Sequence, residues 1–227
     1  MSIPVGTIGT LAEGALHAQL KEWYRRQGDL IEHPVGGFVV DIVRGDLLIE
    51  IQTGGFTPLR RKVQAFPDDR RIRVVAPIAV ENRIIRIGEG GEVLSSRRSP
   101  KRGRLEEVFG RLVALPELLG RFELEVLLIE QQELRTHQPG KAFRRRGWVV
   151  QGRSLVRVIE SIVIPDAAAA AAVLPADLPA MFHTGDIAAA AAISRRTAQQ
   201  MAYCLRRMGQ IEPVGKSGNA VTYARTG

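Results

Sequence analysis

An α+β fold is predicted by three observations. The chain opens on an amphipathic helix, runs at once into a hairpin of short apolar strands, and closes on two capped helices followed by two more strands. Leu11, Ala15, Leu16, Leu20 and the Trp23/Tyr24 pair lie on one stripe, so Leu11–Arg26 reads as a helix. Leu30–Val35 reads as a first strand. Phe38–Arg44 and Leu47–Gln52 are β-branched and apolar, and Gly45-Asp46 between them is a two-residue hairpin loop with Gly at the first central position. Thr57–Phe66 then reads as a short helix and Ile72–Ile78 as a fourth strand.

The turn dictates a register. Arg44 faces Leu47, Val43 faces Leu48, Ile42 faces Ile49, and Asp41 faces Glu50, with Gln52 projecting from the same face as Glu50. Directly opposed side chains have Cβ atoms roughly 5 Å apart. Two carboxylates at that separation repel unless a proton or a divalent cation lies between them. Carboxylates inside apolar strands are also costly unless they are paired or bind a metal. On the bare pattern an Asp and a Glu in a hairpin are more often solvent-facing strand residues, and a one-residue slip would turn the whole set to the other face.

An Asp on one strand followed by Glu-x-Gln on the next resembles the PD-(D/E)XK nuclease superfamily, whose members carry Glu-x-Lys or Glu-x-Gln there. The order of elements resembles that restriction-endonuclease-like core too: helix, three strands, helix, strand. The resemblance covers roughly the first third of the chain. It implies that Asp41 and Glu50 ligate Mg²⁺ (or Mn²⁺) with the Ile51 carbonyl, and that waters complete the octahedron. It further implies that Glu13, on the leading helix, supports a ligand or a second metal. Gln52 stands at the usual lysine position and can orient a water. Lys62 or Arg61 on the next helix is the candidate for the missing charge. His17, four residues after Glu13, is read as a packed or surface histidine rather than a ligand.

Composition agrees. The 227 residues suit one to two domains, and a 45% hydrophobic share can fill a core. The net charge of +8 and pI near 10.3 favour a polyanionic partner. A single Cys excludes a disulfide framework and a Cys-rich zinc site. No apolar run approaches a membrane span and the N-terminus lacks a signal-peptide pattern, so a soluble cytoplasmic protein with no membrane partner is expected.

The charge is clustered. Ser95–Arg104 holds Arg97, Arg98, Lys101, Arg102 and Arg104 with no acid, and Lys141 with Arg144, Arg145 and Arg146 precedes Gly147-Trp148. Such loops can neutralise phosphates without reading bases, or can simply be solvated. Between them a helix from Leu105 to Leu119, bent or broken at Pro116, and a strand from Phe122 to about Leu134 are expected. Strands at Trp148–Val150 and Leu155–Ile164 follow. The organisation is thus a core over 1–90, an α+β extension over 91–165, a linker over 166–180 and a C-terminal domain over 181–227. In the linker Asp166 caps an alanine-rich helix, Ala167–Val173.

In the C-terminal domain Thr184 can cap a helix over Gly185–Ala192 and Ser194 another over Arg195–Met208, with Gly209 as the stop. Ala198, Met201, Leu205 and Met208 form the apolar stripe, with Cys204 beside it as buried packing. Arg195, Arg196, Gln199, Gln200, Tyr203 and Arg207 are left for base edges and phosphates. Ile211–Val214, a tip at Gly215–Asn219 carrying Lys216, and Val221–Ala224 read as a two-stranded wing. The stretch resembles a winged helix-turn-helix domain, which implies duplex DNA binding, although such domains also serve as interaction or dimerisation modules.

Two functions compete. One is a Mg²⁺-dependent endonuclease on duplex or branched DNA, with RNA also open and a homodimer compatible with cutting both strands. The other is a non-catalytic DNA-binding protein or transcriptional regulator on a nuclease-like scaffold.

Overall fold

The structure, a computed structural model, describes residues 14–226. The chain is mixed α+β. Its main sheet is seven-stranded, in the order β1 (Leu30–Val35), β2 (Phe38–Arg44), β3 (Leu47–Ile51), β4 (Arg71–Ile87), β6 (Glu123–His137), β7 (Trp148–Ile164), with β5 (Val93–Arg98) paired to β4. Helix α1 (Ala15–Tyr24) precedes it, α2 (Leu59–Ala65) connects β3 to β4, and α3 (Phe109–Leu112) lies between β5 and β6. The expected succession of helix, three strands, helix and strand over the first third is therefore observed. The expected start of the first helix, together with Glu13, lies outside the described residues.

The chain divides into two compact units. One comprises residues 26–76, 105–126 and 161–226, the other residues 14–25, 77–104 and 127–160. In the first unit β1–β2–β3 is an antiparallel meander, and β3 pairs parallel with β4 from Leu47↔Arg71 to Ile51↔Val75. A parallel step requires a crossover, which α2 provides. Every residue of β3 is buried, as expected for an interior strand covered on both faces. Val40, Ile42, Phe56, Leu59, Val63, Val74 and Val75 of the same unit are likewise essentially without solvent contact.

The same unit contains the C-terminal elements. These are α4 (Ala167–Ala171), β8 (Met181–Phe182), α5 (Thr184–Ala190), α6 (Arg195–Arg207), β9 (Ile211–Ser217) and β10 (Ala220–Arg225), with the three strands ordered β8-β10-β9. Asp166 caps α4 by accepting the Ala169 amide, and Ser194 caps α6 by accepting that of Thr197. The expected cap at Thr184 is displaced by one residue. His183 accepts the Asp186 amide through Nδ1, and the Asp186 carboxylate accepts the His183 amide, a reciprocal capping box that uses both side chains. Gly209 ends α6 at φ 72°, a left-handed conformation that glycine adopts without steric cost.

In the other unit α1 buries Leu16, Leu20 and Tyr24 and leaves Trp23 half exposed. Gln19 Oε1 accepts the Leu155 amide of β7 at 2.8 Å. Four other expectations are corrected. Arg97 and Arg98 belong to the edge strand β5 rather than a loop, since Ser95–Arg98 pairs antiparallel with Arg83–Arg86 of β4. The strand expected at Ile72–Ile78 runs to Ile87, and the two pieces at Trp148–Val150 and Leu155–Ile164 are one strand, because Gly152 does not interrupt pairing. The helix expected over Leu105–Leu119 is a 3-10 turn at Leu105–Val108, one turn of α3, and a second 3-10 turn at Pro116–Leu118, both in the first unit.

Candidate active site and nucleic-acid surfaces

The β2–β3 ladder has the expected register: Arg44↔Leu47, Val43↔Leu48, Ile42↔Ile49. Gly45, at φ 58°, makes the tight loop possible. One step further the pairing changes character. Asp41 Oδ2 accepts the Ile51 amide at 2.8 Å, so a side chain takes over an amide that a backbone carbonyl would otherwise satisfy. This cross-strand bond, rather than a plain opposed pair, is how Asp41 is held beside the Glu50-Ile51-Gln52 triplet.

Glu50 is 2% exposed and Lys62 of α2 reaches its Oε1, while the same ammonium donates to the Val39 carbonyl. The Lys62 ammonium is thus the cation that partners the buried Glu50 Oε1. Burial pushes the Glu50 carboxyl up from its ordinary 4.5 to about 7; Lys62 opposes that rise and the neighbouring Asp41 charge adds to it. The main chain of Gln52 is fixed at both ends. Its amide donates to Val75 O at 2.8 Å, and its carbonyl accepts from Arg111 Nη1 at 3.0 Å.

Asp41, Glu50, Ile51, Gln52 and Lys62 are therefore drawn together. Arg61 is exposed on the outer side of α2. Arg111 is a site residue that sequence reading did not single out. It sits in α3, its pKa is lowered by burial, and it reaches Gln52 across 59 positions of chain. The available signal was its presence in the apolar stretch Val108–Leu115, where a lone arginine requires an acceptor.

The donor types are chemically suited to a hard divalent cation: two carboxylates and a backbone carbonyl at Ile51, with Lys62 as the cation that stands at Glu50 Oε1 in its place. Among the described residues no group of three or more His, Cys, Asp and Glu side chains is arranged for a metal, so water or substrate oxygens would have to complete the coordination shell.

The C-terminal candidates divide. Arg195, Gln199 and Tyr203 line a cleft of ≈ 420 Å³ between α6 and β10, joined there by Arg206 and Asn219. Arg196 and Lys216 are exposed. Gln200 is turned elsewhere: it packs on Gly110, where an added Cβ would come 3.0 Å from Gln200 Oε1. The Glu117 carboxyl is held below its ordinary value by its own backbone amide and by Arg60, with a smaller contribution from Arg207. Gln200 is thus corrected from the outward surface to a helix contact. Cys204 is buried against α3, with Sγ 3.6 Å from Phe109 O, and burial pushes its thiol up to about 12. A thiol reagent at neutral pH is expected to modify it only in denaturant; native-state labelling at the rate of a free thiol would show that α6 opens.

In the other unit Arg97, Arg98, Lys101 and Arg102 are exposed, with Arg102 3.8 Å from Glu81. Arg144, Arg145 and Arg146 are exposed in the loop between β6 and β7. No helix among the described residues is long and apolar enough to cross a membrane.

Residues 14–165 match the family model described as a domain of unknown function (DUF8091). An uncharacterized protein of Treponema pallidum (strain Nichols) is 26% identical over 223 residues, covering 96% of this chain and 88% of the relative. No solved structure matches the chain.

Proposed function

The chain belongs to the DUF8091 family, and for this member we propose a metal-dependent endonuclease that cleaves phosphodiester bonds of DNA. The observation that carries the reading is the grouping of Asp41 and Glu50 on adjacent strands with Lys62 on the helix that follows. The succession of helix, three strands, helix and strand, with its parallel β3–β4 step, supports a restriction-endonuclease-like core.

Asp41 and Glu50, with the Ile51 carbonyl, would hold Mg²⁺ or Mn²⁺. Bound there, the ion supplies a water of lowered pKa and neutralises charge on the phosphodiester. Lys62 keeps Glu50 from being an isolated buried acid and brings a cation to the oxygens of the scissile phosphate. Gln52, its main chain clamped by Val75 and Arg111, presents an amide that can orient the attacking water but carries no charge.

The C-terminal region supports DNA binding on a winged helix pattern. A helix, a short strand, two helices and a β-hairpin occur in that order, and the short strand pairs with the second strand of the hairpin. Arg195 and Arg206 with Tyr203 offer phosphate and base contacts beside the wing.

A direct test incubates the protein with paired, nicked, branched and single-stranded DNA in Mg²⁺, Mn²⁺ or EDTA. Cleavage that EDTA stops is expected; every DNA form left intact with both metals would remove the reading of a DNA endonuclease. In the same preparation Arg195→Ala with Arg206→Ala should weaken duplex binding and reduce its salt dependence by about two counterions. An unchanged salt slope would assign the phosphate contacts to the basic residues of the other unit. A second reading, DNA binding without catalysis, is favoured by Gln52 at the lysine position and by the Glu50–Lys62 pair. It predicts the same salt dependence with no cleavage.

A further inference from the structure

The loop between β6 and β7 displays a bare aromatic ring, and every charged residue of the loop is basic. Phe143 is 98% exposed, and residues 138–147 include Lys141, Arg144, Arg145 and Arg146 with no acid. One exposed phenyl ring is ordinary on a protein surface; what distinguishes Phe143 is its place among four cations on a hydrogen-bonded turn.

The loop is built rather than slack. Gln138 N donates to Gly147 O at 2.7 Å and closes the hairpin, Lys141 N donates to Gln138 O, and a 3-10 turn spans Phe143–Arg145. Ala142 and Arg146, on either side of that turn, adopt left-handed φ of 47° and 50°, a conformation that costs free energy in residues other than glycine. Beneath it Gly147 sits against His137, where an added Cβ would meet Nε2 at 2.5 Å, and His137 packs edgewise on Trp148. The Arg86 guanidinium covers the Trp148 ring at 4.5 Å. These contacts hold the base of the loop and leave the ring of Phe143 projecting.

We propose that this loop binds nucleic acid at an unpaired base, with Phe143 stacking on the base and Lys141 and Arg144–Arg146 on the adjoining phosphates. Charge complementarity selects a polyanion, and an aromatic ring among arginines matches a strand whose base faces are accessible. An anionic membrane is the weaker fit, because one phenyl ring flanked by guanidinium groups offers too little apolar area to anchor in a bilayer. The inference rests on the nucleic-acid part of the proposed function and is independent of cleavage.

The test uses the full chain in EDTA with two probes: a fully paired duplex, and the same duplex with a short unpaired tract carrying 2-aminopurine. Wild type is expected to bind the unpaired probe about tenfold more tightly and to quench its fluorescence, the scale of one base–aromatic stack. Phe143→Ala should abolish both the preference and the quench, Phe143→Trp should keep them, and Arg144→Ala with Arg145→Ala and Arg146→Ala should weaken both probes. A preference and quench unaltered by Phe143→Ala would overturn the loop assignment while leaving DNA binding in place. Absence of binding to either probe would overturn both. Loss of binding to phosphatidylserine vesicles in Phe143→Ala, with unaltered DNA behaviour, would assign the loop to membranes instead.

Discussion

Glu50→Gln is expected to lower metal-dependent cleavage roughly a thousandfold or more while DNA binding persists, because it removes an anionic oxygen without changing the side chain's size. Steady-state cleavage and a binding isotherm on the same DNA check both halves. Gln is a cleaner probe than Ala. Truncation would open a cavity beside the Lys62 ammonium and leave it only the Val39 carbonyl as acceptor, whereas the glutamine carbonyl can still accept from it. The same logic selects Asp41→Asn over Asp41→Ala. The asparagine carbonyl can still accept the Ile51 amide, whereas alanine leaves that donor unpaired at a cost of about 1–3 kcal/mol. Asp41→Asn should therefore be folded and inactive. Activity within tenfold of wild type in either variant would remove the hairpin carboxylates from the chemistry.

The second large effect is a pH dependence of stability carried by Glu50 in metal-free protein. Its folded-state pKa of about 7 lies above the unfolded value of 4.5. A raised pKa means that the folded state binds the proton more tightly, so the stabilisation is complete below 4.5 and is lost as pH rises through about 7. The difference between wild type and Glu50→Gln should change by about 2–3 kcal/mol between pH 5 and pH 8, seen in urea unfolding with EDTA. At pH 8, Mg²⁺ should restore stability to wild type and not to Glu50→Gln, since a ligand stabilises only the state that binds it. A wild-type-to-variant difference that is flat with pH would mean that folding does not raise the Glu50 pKa. Asp29, held below the usual range by Arg44, works in the opposite direction and is present in both proteins, so it cancels in the comparison.

The hairpin was legible in sequence for a physical reason. A glycine in a two-residue loop leaves one register that buries Ile42, Leu48 and Ile49 together, and that register is observed. Lys62 was legible as a charge near the site because α2 must return the chain to a strand parallel with β3. The Asp41–Ile51 bond was not, because it depends on how the strands part beyond Ile42, which no periodicity encodes. Arg111 was hidden for a different reason: its acceptor is remote in sequence and the apolar run around it resembles an unbroken helix. That run breaks at Pro116, which lacks an amide, and is shaped by the contact of Gly110 with Gln200. The long strand β7 reads as two pieces because Gly152 is an ordinary strand breaker, and β4 runs past the expected Ile78 to Ile87 because β5 pairs with its second half. The cap at His183 was assigned to the neighbouring Thr184, the commoner capping residue, when the decisive partner was Asp186 three positions on.

The most direct measurement is a crystal of the protein soaked in Mn²⁺, examined by anomalous scattering. The account predicts one strong peak bonded to carboxylate oxygens of both Asp41 and Glu50, at the roughly 2.0–2.2 Å of a small divalent ion on oxygen ligands, and its disappearance in Glu50→Gln. A diffracting crystal with no peak there, and with Lys62 still paired to Glu50 in saturating Mn²⁺, would contradict the assignment of these carboxylates as a metal site.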